Sequence, residues 1–302
     1  MAEELKEEII EAIPVDAIIP NAKIGYTIYV KLDDKFNIYL QRGKRFGTAE
    51  MTKLKSKRVE YVYIKDHSKP IFLQDVLTHL GEVSSRVKSK DALIGIYYDL
   101  LEMQVKEIFS DGLNEKNIEL SKKFIAHIVD LALSASSCVT MLINILDEHS
   151  TRYQHSLNVM VYSLILGKML TLKQAELEIL SFGALLHDIA KRESEYYEDT
   201  HMIRGVEILK ESGIEDKQIL RMVLEHHEYL DGSGFPSSLE AGKISKYAQI
   251  VTITNVFDNL CSKENGGMST FDALKEMKSK MSSKLNETAL HAFIVMFKKQ
   301  RA

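Results

Sequence analysis

Proline sets the first limit on what this chain can become. Its four prolines are Pro14, Pro20, Pro70 and Pro236, so residues 71 to 235 run without one. Proline inside a helix removes a hydrogen bond and clashes with the preceding turn. A long proline-free stretch with apolar residues at three- and four-residue spacing therefore predicts successive helices. That spacing runs from Phe72 through Leu146, broken at Ser110 to Gly112 and Ser134 to Ser137, and predicts two or three helices there. The N-terminal stretch has a different texture. Tyr26 to Val30 and Phe36 to Leu40 are β-branched and aromatic around Asp33 and Asp34, which predicts a hairpin. Thr48 begins a helical pattern, and Val59 to Ile64 alternates as a strand does. The expected organisation is a small α+β N-terminal domain over 1–68, a helical linker region over 69–145, and an all-α helical bundle over 146–302.

Composition removes several functional classes. With a net charge of −4 and a sequence pI near 6.2, the chain lacks the basic footprint that phosphate backbones require, so no DNA partner is expected. Its two cysteines, Cys138 and Cys261, stand far apart, which argues against a disulfide framework and fits a reducing compartment. The acidic start MAEELKEEIIEAIP lacks the basic residues and apolar run of a secretory signal. No stretch reaches the ~18 apolar residues of a membrane span. The expected location is cytoplasmic.

The histidines carry the chemistry. His155, His187, His201, His226 and His227, together with Asp188, recur around apolar helical segments. Ordinary cores avoid imidazoles and carboxylates unless they are partnered. A single buried histidine is most simply bonded to a carbonyl, but six such residues would each need that explanation. Imidazoles and one carboxylate suit a divalent ion, iron, manganese or zinc, and the donor set alone does not choose among them. Two such ions close together acidify a water and clamp the oxygens of a phosphate ester. Neighbouring helical residues diverge by about 100°, so His226 and His227 are not expected to point the same way, though they can ligate two different ions. Lys191, four residues beyond His187, is expected on the same helical face.

His155, His187-Asp-Ile-Ala-Lys191, His201 and His226-His-Glu-Tyr-Leu-Asp-Gly-Ser-Gly-Phe-Pro236 together resemble the HD-GYP family, a branch of the HD-domain metal-dependent phosphohydrolases. The resemblance covers roughly residues 145 to 302. It implies an all-helical HD domain that hydrolyses cyclic di-GMP to pGpG and GMP at a binuclear metal centre. By the same resemblance His155, His187, Asp188, His201, His226 and His227 are the metal ligands, and Asp188 bridges the ions. Lys191 contacts the scissile phosphate. Glu228 and Asp231 tie the following loop, in which Gly232 and Gly234 are expected to supply positive-φ turns. The resemblance also implies that loop 229–243 can recruit a partner such as a diguanylate cyclase domain.

The departures are as informative. The family's name-giving tyrosine is Phe235, which keeps a ring and loses a hydroxyl. A further metal-binding aspartate of the family falls at Asn255, whose neutral oxygen is a weaker ligand. Asp258, one helical turn on, is expected to help only through a water. Residues that bind phosphate and base in the family become Gln249 and Glu264. The segment after Lys191 is short and acidic, with Glu193, Glu195, Glu198 and Asp199. Two functions follow: a metal-dependent phosphodiesterase acting on cyclic di-GMP or a related cyclic dinucleotide, slow or altered in substrate, or a degenerate module serving as a metal-bound signalling scaffold or protein-interaction domain.

Overall fold

A computed structural model describes residues 10–33, 35–146, 152–192, 200–262 and 266–298. Asp34, Glu193, Glu195, Glu198, Asp199 and Glu264 lie outside those residues. The chain divides into two compact units, Met1–Met103 and Gln104–Ala302.

In the first unit β1 (Ile10–Pro14), β2 (Ala22–Lys23), β3 (Ile28–Leu32), β4 (Lys35–Leu40) and β5 (Arg45–Phe46) are followed by α1 (Thr48–Ser56) and β6 (Tyr61–Lys65). The expected hairpin is β3 with β4, and the expected third strand, β6, pairs antiparallel with β3. β1 adds a strand that the acidic N-terminal texture did not suggest, and the sheet order is β1-β6-β3-β4. Period-two alternation explains the burial: Val62 and Ile64 of β6 point into the core, while Tyr61 is exposed. Ile13, Ile28 and Phe72 complete that core, with Tyr26 edge-on to Phe72 at 5.6 Å.

The proline-free middle is helical, but it holds five helices where two or three were expected: α2 (Lys69–Thr78), α3 (Leu80–Arg86), α4 (Lys90–Asp111), α5 (Glu115–Ser134) and α6 (Ser136–Ile145). The extra breaks fall at His79 and at Val87 to Ser89, where neither glycine nor proline interrupts the apolar pattern. The expected breaks at Gly112 and Ala135 do occur, and Asn114 caps α5 by accepting the Asn117 N–H at 3.0 Å.

The second unit continues with α7 (Arg152–Met169), α8 (Gln174–Leu186), α9 (His201–Glu211), α10 (Lys217–Glu225), α11 (Lys246–Cys261), α12 (Thr270–Lys280) and α13 (Glu287–Lys298). α7 is buried almost all round from His155 to Gly167 and packs on α8 and α11, as expected for a helix with apolar residues on every face. α10 is one-sided, burying Ile219, Met222 and Val223, and starts at Asp216, whose Oδ1 accepts the N–H groups of Gln218 and Ile219. The architecture is a small antiparallel sheet with helices, followed by a helical bundle. No helix among the described residues is long and apolar enough to cross a membrane.

Candidate metal centre

Helix ends in the second unit deliver the expected residues to one place. α7 supplies His155, α8 stops at Leu186 and hands on His187 and Asp188, α9 opens with His201, and α10 stops at Glu225 and hands on His226 and His227. Five of the six are buried, and His227 is partly exposed.

Asp188 sits at the middle. Its Oδ2 lies 3.5 Å from His155 Nε2 and 3.4 Å from His187 Nε2. Its Oδ1 lies 3.1 Å from His201 Nε2 and 3.4 Å from His226 Nε2. The ligand atoms form two groups, each within 4.8 Å: His155, His187 and Asp188, and Asp188, His201, His226 and His227. His226 and His227 thus belong to the same group, contrary to the helical-divergence argument. That argument holds inside a continuing helix, whereas α10 ends at Glu225 and the chain turns, bringing the two rings to 4.2 Å.

The ring tautomers are set from outside the cluster. His187 Nδ1 lies 2.7 Å from the Ala184 carbonyl and His226 Nδ1 2.9 Å from the Val223 carbonyl. A carbonyl only accepts, so Nδ1 carries the proton in both, and Nε2 presents a lone pair inward. Those nitrogens face other imidazoles: His155 and His187 Nε2 at 3.2 Å, and His201 and His226 Nε2 at 3.2 Å. Where both nitrogens of such a pair are unprotonated their lone pairs repel, and a cation between them would relieve the repulsion. Asp188 Oδ1 and His227 Nε2 are buried without a hydrogen-bond partner among the described residues, which is costly unless a ligand satisfies them. Nitrogen donors, a two-sided carboxylate and orphaned acceptors together fit divalent transition metal.

Charge follows the same division. Burial pushes His226 down to about 3 and also lowers His187 and His227, so these rings are neutral and able to ligate at pH 7. Burial acts downward on His155 too, but the Asp188 and Asp258 carboxylates outweigh it and raise it to about 9. Asp188 is opposed by burial, yet the surrounding imidazoles hold it well below the usual carboxylate range.

Asp258 had been expected to act through a water. Instead its Oδ2 accepts directly from His155 Nδ1 at 2.6 Å, and its Oδ1 accepts from Asn158 Nδ2 at 3.0 Å. The reason is that α11 packs along α7, which brings Asp258 onto the His155 turn. Asn158, three residues after His155 on the same helical face, was overlooked, although its spacing was a signal. Lys191 lies on a short 3-10 turn after Asp188, and its Nζ donates to Asp188 Oδ2 at 2.7 Å. Asn255 is buried, and its Oδ1 accepts from Asn259 Nδ2 at 2.8 Å. Gln249 is engaged at both ends, with the Ile244 carbonyl and with Asn286.

The loop after the histidine pair is built on carboxylates. Glu228 accepts the N–H groups of Ser237 at 2.7 Å and Leu239 at 2.9 Å, and Asp231 accepts both from Ser233 N–H at 3.0 Å and from its hydroxyl at 2.6 Å. Gly232 has the expected positive φ of 75°. Gly234 does not; it is required because a Cβ there would overlap the His227 carbonyl and the Tyr229 nitrogen. This close approach lays Phe235 flat on His227, at 4.7 Å between centroids and 14° between planes, just before a cis bond to Pro236. Glu225, also not foreseen, accepts from Arg221 at 2.6 Å and from Ser245 N–H at 2.7 Å, joining α10 to the start of α11.

Residues 152–260 match the HD domain family. Among curated proteins the chain is similar to 3'3'-cGAMP-specific phosphodiesterase 2 of Vibrio cholerae, 26% identical over 57% of this chain and 36% of that protein. It is also similar to the cyclic di-GMP phosphodiesterase response regulator RpfG of Xanthomonas campestris pv. campestris, 32% identical over 32% of this chain and 30% of that protein. These alignments span about a third of the relatives' length. Among solved structures, Bd1817, described as an HDG"Y"P protein from Bdellovibrio bacteriovorus, shares the fold with a TM-score of 0.68 at 20% identity, covering 96% of this chain and all of that one. Residues 152–260 thus carry an HD domain, and the chain shares the fold of that solved structure.

Proposed function

We propose that this centre holds two divalent ions and hydrolyses the phosphodiester bonds of a cyclic dinucleotide, one water opening cyclic di-GMP to linear pGpG and a second cleaving pGpG to GMP. The observation that carries the reading is the two-sided use of Asp188, whose oxygens each address a separate histidine group. Ions bound there, iron first and manganese or zinc otherwise, would supply Lewis acidity and an activated water. The chain's own residues do the rest. His187 and His226 are fixed by carbonyls with their lone pairs inward, and His155 is oriented by Asp258. Lys191 is 26% exposed in its side chain and rests on Asp188, within reach of solvent on one side. Its ammonium can pass from Asp188 to an oxygen of the scissile phosphate as substrate arrives. Asn255 is the seventh candidate ligand, offering a neutral oxygen.

Two relatives' names supply two substrates, cyclic di-GMP and 3'3'-cGAMP, and Gln249, held by Ile244 and Asn286, is not a cation for either. Protein loaded with iron, manganese or zinc is therefore to be incubated with each dinucleotide and the linear products resolved by chromatography. Turnover of either supports hydrolysis; full metal loading with no turnover of both supports the alternative, a metal-bound signalling scaffold or protein-interaction domain. The loop from Tyr229 to Lys243 is the surface proposed for a protein partner such as a diguanylate cyclase domain. Loss of association on Phe235→Ala would support that, and unchanged association would remove it.

A further inference from the structure

Within the first unit alone, a cleft of about 210 Å³ opens where β3, the end of β6 and the start of α2 come together. Tyr26 and Tyr29, both buried, form its aromatic wall. Its basic lining is Arg42 from the turn after β4, Lys65 at the end of β6, and His67, and no acidic side chain is among the described residues lining it. Asp66, which stands between Lys65 and His67 in the chain, is paired with the buried Lys69 at 2.7 Å. Arg42 is positioned through its backbone, whose N–H donates to Thr27 Oγ1 at 3.2 Å, and its exposed guanidinium has no partner among the described residues. Ser68 lines the same cleft, is only 7% exposed, and leads into α2 without a side-chain capping bond. A hydroxyl so buried without a partner costs free energy unless a ligand satisfies it. Gly25 lets the bend before β3 lie close against α2, since a Cβ there would fall 2.6 Å from Ile71 Cγ2.

Charge, size and donor type select the ligand. Sites for drug-sized ligands span about 300–1,000 Å³, and this cleft is smaller, which excludes a dinucleotide. Ile71, 38% exposed, is the one large apolar side chain of the lining that stands out into solvent. That is too little surface to hold a peptide or a second copy of the chain by burial, which takes on the order of 1,200 Å². A ligand here must be held by charge and hydrogen bonds. Phosphate matches, because a guanidinium meets two of its oxygens side by side and further oxygens remain to accept from other donors. A carboxylate has only two oxygens, too few for this set of donors. The aligned peptide dipoles at the start of a helix also favour an anion. We propose that the cleft binds the phosphate group of a small molecule, either free phosphate or a small phosphomonoester. Arg42 and Lys65 supply the positive charge, and the Ser68 hydroxyl donates from the wall. The site does not rest on the reaction proposed for the metal centre, since all its residues belong to the first unit.

The test uses the full chain, stripped of metal so that the histidine cluster takes up no phosphate, and reads binding of radiolabelled inorganic phosphate by equilibrium dialysis at constant ionic strength. The expected result is saturable binding of one phosphate per chain, displaced by sulfate and by glycerol 1-phosphate and not by acetate. Arg42→Gln should weaken binding about tenfold, the order expected for one charge-assisted contact. Ser68→Ala should weaken it about threefold, as for one neutral donor. Lys191→Gln, at the metal centre, should leave it unchanged. Circular dichroism establishes that the variants are folded. Tighter binding of glycerol 1-phosphate than of phosphate marks an organic monoester as the occupant, and equal or weaker binding marks free phosphate; both support the site. The proposal is overturned if binding is not saturable, if acetate competes equally, or if Arg42→Gln or Ser68→Ala binds as tightly as the parent. It is equally overturned if Lys191→Gln abolishes binding, or if only a phosphopeptide or phospholipid vesicles bind.

Discussion

The two halves of the proposed metal centre share Asp188 but are built by different means. On one side, His155 and His187 face Asp188 Oδ2, Lys191 joins the same oxygen, and a second carboxylate, Asp258, orients His155. On the other, His201, His226 and His227 face Asp188 Oδ1; a backbone carbonyl orients His226, and the Phe235 ring lies on His227. The first half is organised by charge, the second by backbone geometry and ring packing. Carboxylate support raises the basicity of a ligating imidazole, while a carbonyl or a stacked ring orients it without adding charge. The halves should therefore differ in affinity and in their dependence on pH.

The largest effect should come from the shared residue. Asp188→Asn keeps the shape and removes the charge that both halves use, so both ions should be lost and hydrolysis should fall by about a thousandfold or more. Elemental analysis alongside the turnover assay checks this. Retention of one ion in that variant would mean that the halves do not share Asp188 as a ligand.

Asp258→Asn should affect one half only. Loss of such a supporting carboxylate typically costs about 10–100-fold in metal affinity, here confined to the His155 and His187 side. Metal titration should then resolve one weakened and one unchanged site. Equal weakening of both would remove the distinction between the halves.

Much of this cluster was legible in the sequence because its residues stand at helix ends: Leu186 closes α8 before His187, and Glu225 closes α10 before His226. What could not be read was whatever depends on where a chain goes after a helix stops. His226 and His227 were separated by a rule for helical neighbours, and the turn after Glu225 reunites them. Asp258 lies more than a hundred residues from His155, a distance no local pattern spans, and only the packing of α11 on α7 brings them together. In the first unit, β1 escaped notice because its one buried partner strand, β6, is distant and its own sequence, Ile-Glu-Ala-Ile-Pro, alternates weakly. Helix boundaries at His79 and Val87 carried no turn residue to announce them.

A third difference lies in protons. His155 is raised to about 9 between two carboxylates, whereas burial lowers His226 to about 3. The raised group stabilises the metal-free fold fully below its unfolded value near 6.5, and that contribution is lost as pH rises through about 9. The depressed group must stay neutral, so its contribution is present above about 6.5 and is lost as pH falls towards 3. Thermal unfolding of metal-free protein should therefore weaken toward both acid and alkaline pH, and His155→Asn should remove only the alkaline decline. Because ligation needs the His155 Nε2 lone pair, adding metal at pH 7.5 should release about one proton per chain. A pH indicator in weak buffer reads this directly, and absence of release would mean that His155 is already neutral.

The smallest effect concerns the ring on the second half. Phe235 stacks on His227 at 4.7 Å, and its N–H donates to the His227 carbonyl at 3.2 Å, so ring and backbone both hold that histidine in place. Phe235→Leu keeps the backbone bond and most of the apolar bulk but removes the stack, worth about 1 kcal/mol. Metal affinity on the His201, His226 and His227 side should fall roughly fivefold, with the other side unchanged. Phe235→Tyr keeps the ring and should leave both sides as they are, since the stack uses the ring face and not its para position. If the leucine variant instead weakens the His155 side, or the tyrosine variant weakens either, ring packing is not what sets the second half apart from the first.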